Sequence, residues 1–337
     1  MHVPAFVGDQ KIEWVDKAVP RPGPQQLLLA VEANALCGTD RLQYRYGSPI
    51  ATPGHEAAGV VVAAGDDTRT AVGTRGAVFL MDFCGTCRSC LLGHTNQCLA
   101  KRGDMGFDRD GGYGPFELVH ESVFFAVDDD ISGVEATLLL DVMGTSSHAI
   151  GRAQQMRADI ETVLVAGAGP IGLGVVAMAR LMLGPDVPVH IFDLAPYRLG
   201  LAEDLGAVGI NIADRTLAEA LAEMGLDSFD VAFDATGKSV ARRACVDALG
   251  KRGALACIGH GQTLELRVSD DLIAAERAVL GSEYFRFNEM PANLERLRAN
   301  REYLNRIITH RFDVAQIAEA FETFLGGETG KVVITHG

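Results

Sequence analysis

Basic charge is scarce in this chain. Its 30 Lys and Arg stand against 44 Asp and Glu, a formal charge of −14 over 337 residues. That balance disfavours a nucleic-acid partner, whose affinity would come from phosphate neutralisation. Long apolar runs are missing too. The longest uncharged segment, Val163 to Ala179, holds four glycines and a proline and is followed by Arg180. It is short for a bilayer, so no membrane association is expected. Met1 to Gln10 shows neither a cationic stretch nor an apolar run, so no secretory leader is expected. Internal repeats and low-complexity tracts are also lacking. What remains is ordinary globular composition, 48% apolar and 22% charged, at a length that favours two domains over one oversized core. Seven cysteines without a leader point to thiols and metal ligands in a reducing, cytoplasmic setting.

The rhythm of the chain changes near residue 161. Before it, short runs such as Leu27–Ala35, Gly59–Ala64 and Ala77–Met81 are bounded by turn residues and read as β-rich. After it, short apolar runs at 163–166, 189–192, 208–212, 230–233 and 254–258 alternate with helical patterns at 171–183, 196–205, 217–224 and 240–249. Strand and helix in alternation predict a doubly wound parallel sheet, hence an α/β protein. The tail from 287 reads as helix 293–308, helix 314–325 and strand 331–335, and is expected to return to the first domain. The expected division is 1–142, 143–286 and 287–337. At the join, Ser132 and Glu135 have capping-box spacing, and the apolar run Leu138 to Leu140 leads into Asp141, a carboxylate that needs a partner if buried.

Gly167, Gly169 and Gly172 form Gly-x-Gly-x-x-Gly between an apolar strand and a helix, with Pro170 and Ile171 opening that helix. Gly167 allows the tight turn, Gly169 lets backbone approach a pyrophosphate, and Gly172 lets helix and strand pack closely. Pro170 suits the first helical position, and the helix N-terminus offers free N–H groups to phosphate. Asp193, 21 residues beyond Gly172, is placed to accept from an adenosine ribose. Its charge repels a 2′-phosphate, which favours NAD over NADP. A plain helix cap is the competing reading of Asp193. Arg198 can stack on adenine or sit as a solvated helix residue.

Cys84, Cys87, Cys90 and Cys98 fall within fifteen residues, 84–98, on a loop rich in small residues. That set fits a closed tetrahedral zinc site better than an iron–sulfur cluster or disulfides. Such a site orders a lobe but offers no open position for chemistry. Cys245 and Cys257 read as packing residues. Cys37 differs, because it ends a strand and opens Cys37-Gly38-Thr39-Asp40, with Gly54-His55-Glu56 beginning seventeen residues on.

These motifs, in this order and with the ending Lys331 to Ile334, resemble the zinc-dependent medium-chain alcohol and polyol dehydrogenases, in particular their sorbitol-dehydrogenase-like branch. The resemblance spans nearly the whole chain. It implies a GroES-like catalytic domain around an inserted Rossmann domain, two zinc ions and NAD. It further implies that Cys37, His55 and Asp141 ligate a catalytic zinc, with Glu56 able to enter its shell. One thiolate, one imidazole and one carboxylate leave a fourth position open. A metal-bound hydroxyl loses its proton far more readily, as bound water does when its pKa falls from about 16 to about 7, and the alkoxide so formed passes hydride to nicotinamide. Thr39 resembles the hydroxyl that relays the proton. Relatives often carry a histidine five residues after the ligand cysteine, where this chain has Leu42; His2 and His148 are not obvious replacements, and His94, within the cysteine lobe, is expected to be exposed rather than a ligand. Gly281 to Phe287 resembles a segment lining the nicotinamide, which brings in Tyr284, Phe285 and Arg286, and Ile258, Gly259 and His260 are expected at the same end. Gln43, Tyr44, Glu56 and Arg286 would form a polar pocket suited to a polyol, sugar or aminocyclitol. The rival substrates are a simple alcohol, an amino alcohol or an aldehyde hydrate. The rival outside enzymes is a zinc-stabilised NAD-binding protein with one zinc per chain. The resemblance also implies a homo-oligomer, dimer or tetramer.

Overall fold

The computed structural model describes residues 1–48 and 50–337. In one half, six strands lie parallel in the order Val208–Asn211, Val189–Asp193, Val163–Ala166, Phe229–Asp234, Leu249–Cys257 and Ala278–Gly281. The central strand Val163–Ala166 is buried at all four positions, as a strand covered by helices on both faces must be. Strand order reverses beside it, because the next strand in sequence lies on one side and Phe229–Asp234 on the other. That reversal opens a crevice at the carboxyl ends of the strands. The sequence reading found five of the six strands. Ala278–Gly281 is short and only half buried, so its apolar pattern is weak.

The other half is a mostly antiparallel sheet built on the long strand Gln26–Ala35, which pairs with Ala57–Ala64, Phe116–His120 and the C-terminal strand Lys331–Thr335. The tail departs from the sequence reading. The expected helix 293–308 breaks at Asn300 into Met290–Ala299 and Arg301–Asn305, and Ile308–Asp313 is a strand parallel to Lys331–Thr335. The Asn300 side chain donates to the Arg296 carbonyl at 2.9 Å, closing the first helix. Beyond Asn305 the β-branched Ile307, Ile308 and Thr309 favour extended backbone. Helix Ile317–Gly326 then bridges the two parallel strands.

The connector between the halves is also more broken than its apolar run suggests. Ser132 and Glu135 cap each other reciprocally at the start of Gly133–Ala136. A tight turn at Thr137–Leu139 follows, then a kink at Leu140 with ψ −119°, a π-helical turn at Asp141–Thr145, and helix Ser146–Met156. Such π turns recur where a side chain must be re-aimed at a functional site. Leu138, Leu139, Leu140, Val142 and Met143 are fully buried in a core cluster that runs without a break from Leu27 to Val163 and beyond. A Cβ on Gly174 would lie 2.3 Å from the Val142 carbonyl, so the helix Pro170–Leu183 rests directly on the π turn. Among the described residues no helix is long and apolar enough to cross a membrane.

Glu135 also fastens the connector to the C-terminal segment. Its carboxylate accepts from Arg301 Nε at 3.0 Å and Nη2 at 2.8 Å, and from Asn305 Nδ2 at 3.0 Å. Burial alone would raise this carboxyl; the hydrogen bonds from Arg301, Asn305 and Ser132 outweigh it and hold the pKa at about 2. The resulting stabilisation is complete above the unfolded carboxyl's range, near pH ~4.3, and is lost as pH falls towards the folded value. Glu135→Gln is therefore expected to lower Tm at pH 7, with the gap to wild type closing between about pH 4.5 and 2. Thermal melts across that range check it.

Candidate active site

Four donor groups from distant stretches of chain converge where the halves meet. Cys37 follows strand Gln26–Ala35, and its backbone N–H donates to Asp40 Oδ2 at 2.9 Å. His55 and Glu56 follow Gly54, whose φ of +101° and close approach to Tyr113 N require the absence of a side chain. Asp141 is the first residue of the π turn. One ligand atom from each of Cys37, His55, Glu56 and Asp141 lies within 4.8 Å of all the others. Asp141 Oδ2 is 3.3 Å from Cys37 Sγ and 3.7 Å from His55 Nε2.

A second ring of groups fixes these donors. Asp40 Oδ1 lies 3.2 Å from His55 Nδ1, and Tyr113 donates its hydroxyl proton to Asp40 Oδ2 at 2.8 Å. That arrangement leaves His55 Nε2 to face the other donors, as in carboxylate–histidine–metal arrangements. Thr145 donates to Asp141 Oδ1 at 2.8 Å. Lys331, buried to 1% exposure, pairs with Glu56 Oε1, while Glu56 Oε2 is buried without a partner.

The electrostatics show what the cluster lacks. Burial, reinforced by the Asp141 carboxylate, pushes the Cys37 thiol up. Burial pushes Glu56 up to about 8 even with Lys331 opposing it. Burial also acts to raise Asp141, but the hydrogen bond and charge of His55 more than reverse it and hold the carboxyl well below its usual range. Three potential anions thus share one buried ammonium and one imidazole. A divalent cation would relieve the crowding and keep the thiol ionised. The mixed sulfur, nitrogen and oxygen set with an unpartnered carboxylate oxygen fits zinc.

Cys84, Cys87, Cys90 and Cys98 also bring their sulfurs within 4.8 Å of one another. Cys87 Sγ is 3.5 Å from Cys90 Sγ and 3.9 Å from Cys98 Sγ. Those values bracket the ~3.8 Å sulfur separation of a tetrahedron with zinc–sulfur bonds of about 2.3 Å, and all seven cysteines are free thiols. Backbone N–H groups near Thr86 and Cys87 lower Cys84 to about 6, which prepares it as a thiolate. The two clusters fit two zinc ions.

At the sheet crevice, Gly167 adopts φ +89°, and a Cβ on Gly172 would lie 1.7 Å from the Gly167 carbonyl. A Cβ on Gly169 would meet nothing within 4 Å, so this position faces open space. Pro170 opens the helix and Ile171 is half buried. Asp193 spends both oxygens on backbone N–H groups: Oδ2 accepts from Ala168 N in the glycine loop at 2.7 Å, and Oδ1 accepts from Leu194 N and Ala195 N. Arg198 Nε donates to the Thr329 carbonyl at 3.3 Å. Ile258 and Gly259 are held at the end of strand Leu249–Cys257 by hydrogen bonds to the Asp234 carbonyl, and His260 is exposed.

Comparison with known proteins agrees with this geometry. Residues 23–129 match the alcohol dehydrogenase GroES-like domain, and residues 170–299 match the zinc-binding dehydrogenase domain. An L-threonine 3-dehydrogenase of Deinococcus deserti is 31% identical over 96% of this chain and 95% of its own. This chain belongs to the zinc-dependent medium-chain dehydrogenases. Its fold is shared by an alcohol dehydrogenase of E. coli CFT073 solved with NADH, at TM-score 0.88, 24% identity and 99% coverage of each chain. It is shared too by 2R,3R-butanediol dehydrogenase of Bacillus subtilis, at TM-score 0.86 and 22% identity, covering 100% of this chain and 99% of that one.

Within this dehydrogenase, three expected site residues lie elsewhere. Tyr44 is buried in an aromatic cluster with Phe6 and Phe321, at 4.8 Å from the latter ring, because helix Asp40–Tyr46 turns that face inward. Gln43 Nε2 donates to the Gly106 carbonyl at 2.7 Å, a backbone tie rather than a pocket wall. Phe285 has no exposed surface; its ring packs 5.0 Å from Phe79 and against Gly144, so it cannot face a cofactor. Leu42 points to solvent, while Thr39 Oγ1 is buried without a hydrogen-bond partner. The sequence reading missed the roles of Asp40, Tyr113, Thr145 and Lys331. Asp40 and Lys331 stood inside quoted motifs, but only folding brings them to His55 and Glu56.

Asp40→Asn would weaken the hold on the His55 ring. Zinc affinity at this centre is expected to fall about 10–100-fold, while the four-cysteine zinc stays. Chelator competition with metal counting distinguishes the two ions.

Proposed function

We propose that this protein oxidises a secondary alcohol, or reduces the matching ketone, with NAD, and that its substrate is polyhydroxylated: a polyol, sugar or aminocyclitol. The convergence of Cys37, His55, Glu56 and Asp141 beside a glycine-loop crevice carries the reading. A zinc held there supplies Lewis-acid polarisation of the substrate hydroxyl. The chain's own residues do the rest. Asp40 and Tyr113 hold His55 in one orientation. Lys331 balances Glu56. Thr39, two residues from Cys37 and with no internal partner for its oxygen, is positioned to accept the hydroxyl proton. With Leu42 facing solvent, no histidine at that position extends the relay, and water would carry the proton onward.

Asp193 supports NAD over NADP, since its carboxylate would meet a 2′-phosphate. Arg286 supports a hydroxyl-rich substrate: its Nε is buried without a partner, and an unspent donor favours polar ligands over alkyl chains. An amino alcohol is the second reading, favoured by the named activity of the Deinococcus relative. The unpaired outer edge of strand Ala278–Gly281 supports assembly into a dimer or tetramer as part of the same proposal.

A substrate panel with NAD decides the order: turnover of polyols over L-threonine and alkyl alcohols is expected, and the reverse ranking removes the polyol assignment. Cys37→Ser is expected to abolish turnover, with the four-cysteine zinc and the fold retained, whereas Cys90→Ser chiefly lowers Tm. Two zinc ions per wild-type chain are expected, and one would favour a binding protein without chemistry. Asp193→Gly is expected to weaken NAD binding and narrow the preference over NADP, measured as the ratio of the two dissociation constants.

A further inference from the structure

We propose that Thr95 and Asn96, carried by the four-cysteine lobe, are positioning residues that hold the segment Glu283–Phe287 against the catalytic cluster. Both side chains are buried, although the lobe around them exposes Leu91, Leu92 and Leu99. Asn96 Nδ2 donates to the Glu283 carbonyl at 2.8 Å. The Phe287 N–H donates to Thr95 Oγ1 at 2.8 Å. Two neighbouring residues of the lobe thus grip the backbone on both sides of Tyr284, Phe285 and Arg286.

What they grip is strained. Tyr284 adopts φ +47°, a left-handed conformation that a bulky residue keeps only where its surroundings impose it. The Phe285 ring beside it rests on Gly144, where a Cβ would lie 2.4 Å from that ring, and Gly144 belongs to the π turn that bears Asp141, which sets the segment against the catalytic cluster. Phe285 and Phe287 both seat on Phe79, at 5.0 and 5.6 Å, anchoring the segment between the two hydrogen bonds. A further loop closes the grip: Glu289 accepts from the Arg286 N–H at 2.9 Å and from His148 Nδ1 at 3.0 Å, and His148 Nε2 lies 3.4 Å from Asn96 Nδ2. A zinc held by the four cysteines would have no open position for chemistry, and the lobe acts here as a mechanical brace on the segment.

The test uses the full-length, zinc-loaded protein. Thr95→Val removes the acceptor with little change of shape, Asn96→Ala removes the donor, and Thr95→Ser keeps the hydroxyl. Amide hydrogen exchange over 282–289 is measured with zinc content, and kcat and KM are measured for the alcohols it turns over. Thr95→Val and Asn96→Ala are expected to lose protection about tenfold in that segment alone, with two zinc ions kept. KM is expected to rise about fivefold with kcat changed less, and Thr95→Ser to restore both. Unchanged protection overturns the proposal, as does a loss spread evenly over both sheets. The substrate readout rests on the proposed dehydrogenase activity; the exchange readout does not, so if no alcohol is oxidised the exchange data still decide.

Discussion

Negative charge buried at the boundary of two sheets is the constraint around which this molecule is organised. Cys37, Glu56 and Asp141 each favour an anionic form as metal ligands, yet they share one interior volume with His55 and Lys331. A lone ammonium cannot satisfy three anions, and removing any of them from water is costly unless the pairing is close. The pairing is supplied from every direction. Asp40 and Tyr113 steady the imidazole, Thr145 holds one oxygen of Asp141, and Lys331 arrives on the C-terminal strand. The centre is therefore a product of the whole chain, because its donors and their supports span residues 37 to 331.

That constraint explains the odd shape of the connector. A regular helix from Ser132 onward would keep its apolar face continuous, and Asp141 would have to take whatever direction the helix gave it. The kink at Leu140 and the π turn after it break the helix at the residue whose side chain must reach Cys37. Leu138 and Leu139 before the kink and Val142 and Met143 after it, all fully buried, hold the broken path in place. Local helical propensity yields there to the demands of the site.

The α/β class, the glycine turn and the four-cysteine cluster were legible from the primary structure, because each rests on residue types with few alternative uses at that spacing, whereas the set of Cys37, His55, Glu56 and Asp141 could be assigned only through the family resemblance. Gly167 to Gly172 and the four spaced cysteines are local motifs, and local motifs survive without knowledge of the fold. Tyr44 and Phe285 were misplaced for the opposite reason. A polar-tipped or aromatic side chain can serve a pocket or a core, and only tertiary packing against Phe6, Phe321 and Phe79 decides which. Strand Ile308–Asp313 was missed, with only Ile308 drawn into the expected helix, because its partner, Lys331–Thr335, lies beyond an intervening helix. Asp40 and Lys331 could be seen but not assigned, since their meaning lies in neighbours far away along the chain.

The bare backbone of Gly174, set against the Val142 carbonyl, has a bearing on motion. It sets the helix that begins at the glycine turn directly on the backbone of the turn that bears Asp141. A shift of that helix would be felt at the turn that bears Asp141. That contact leaves the helix and the turn little room to shift past each other.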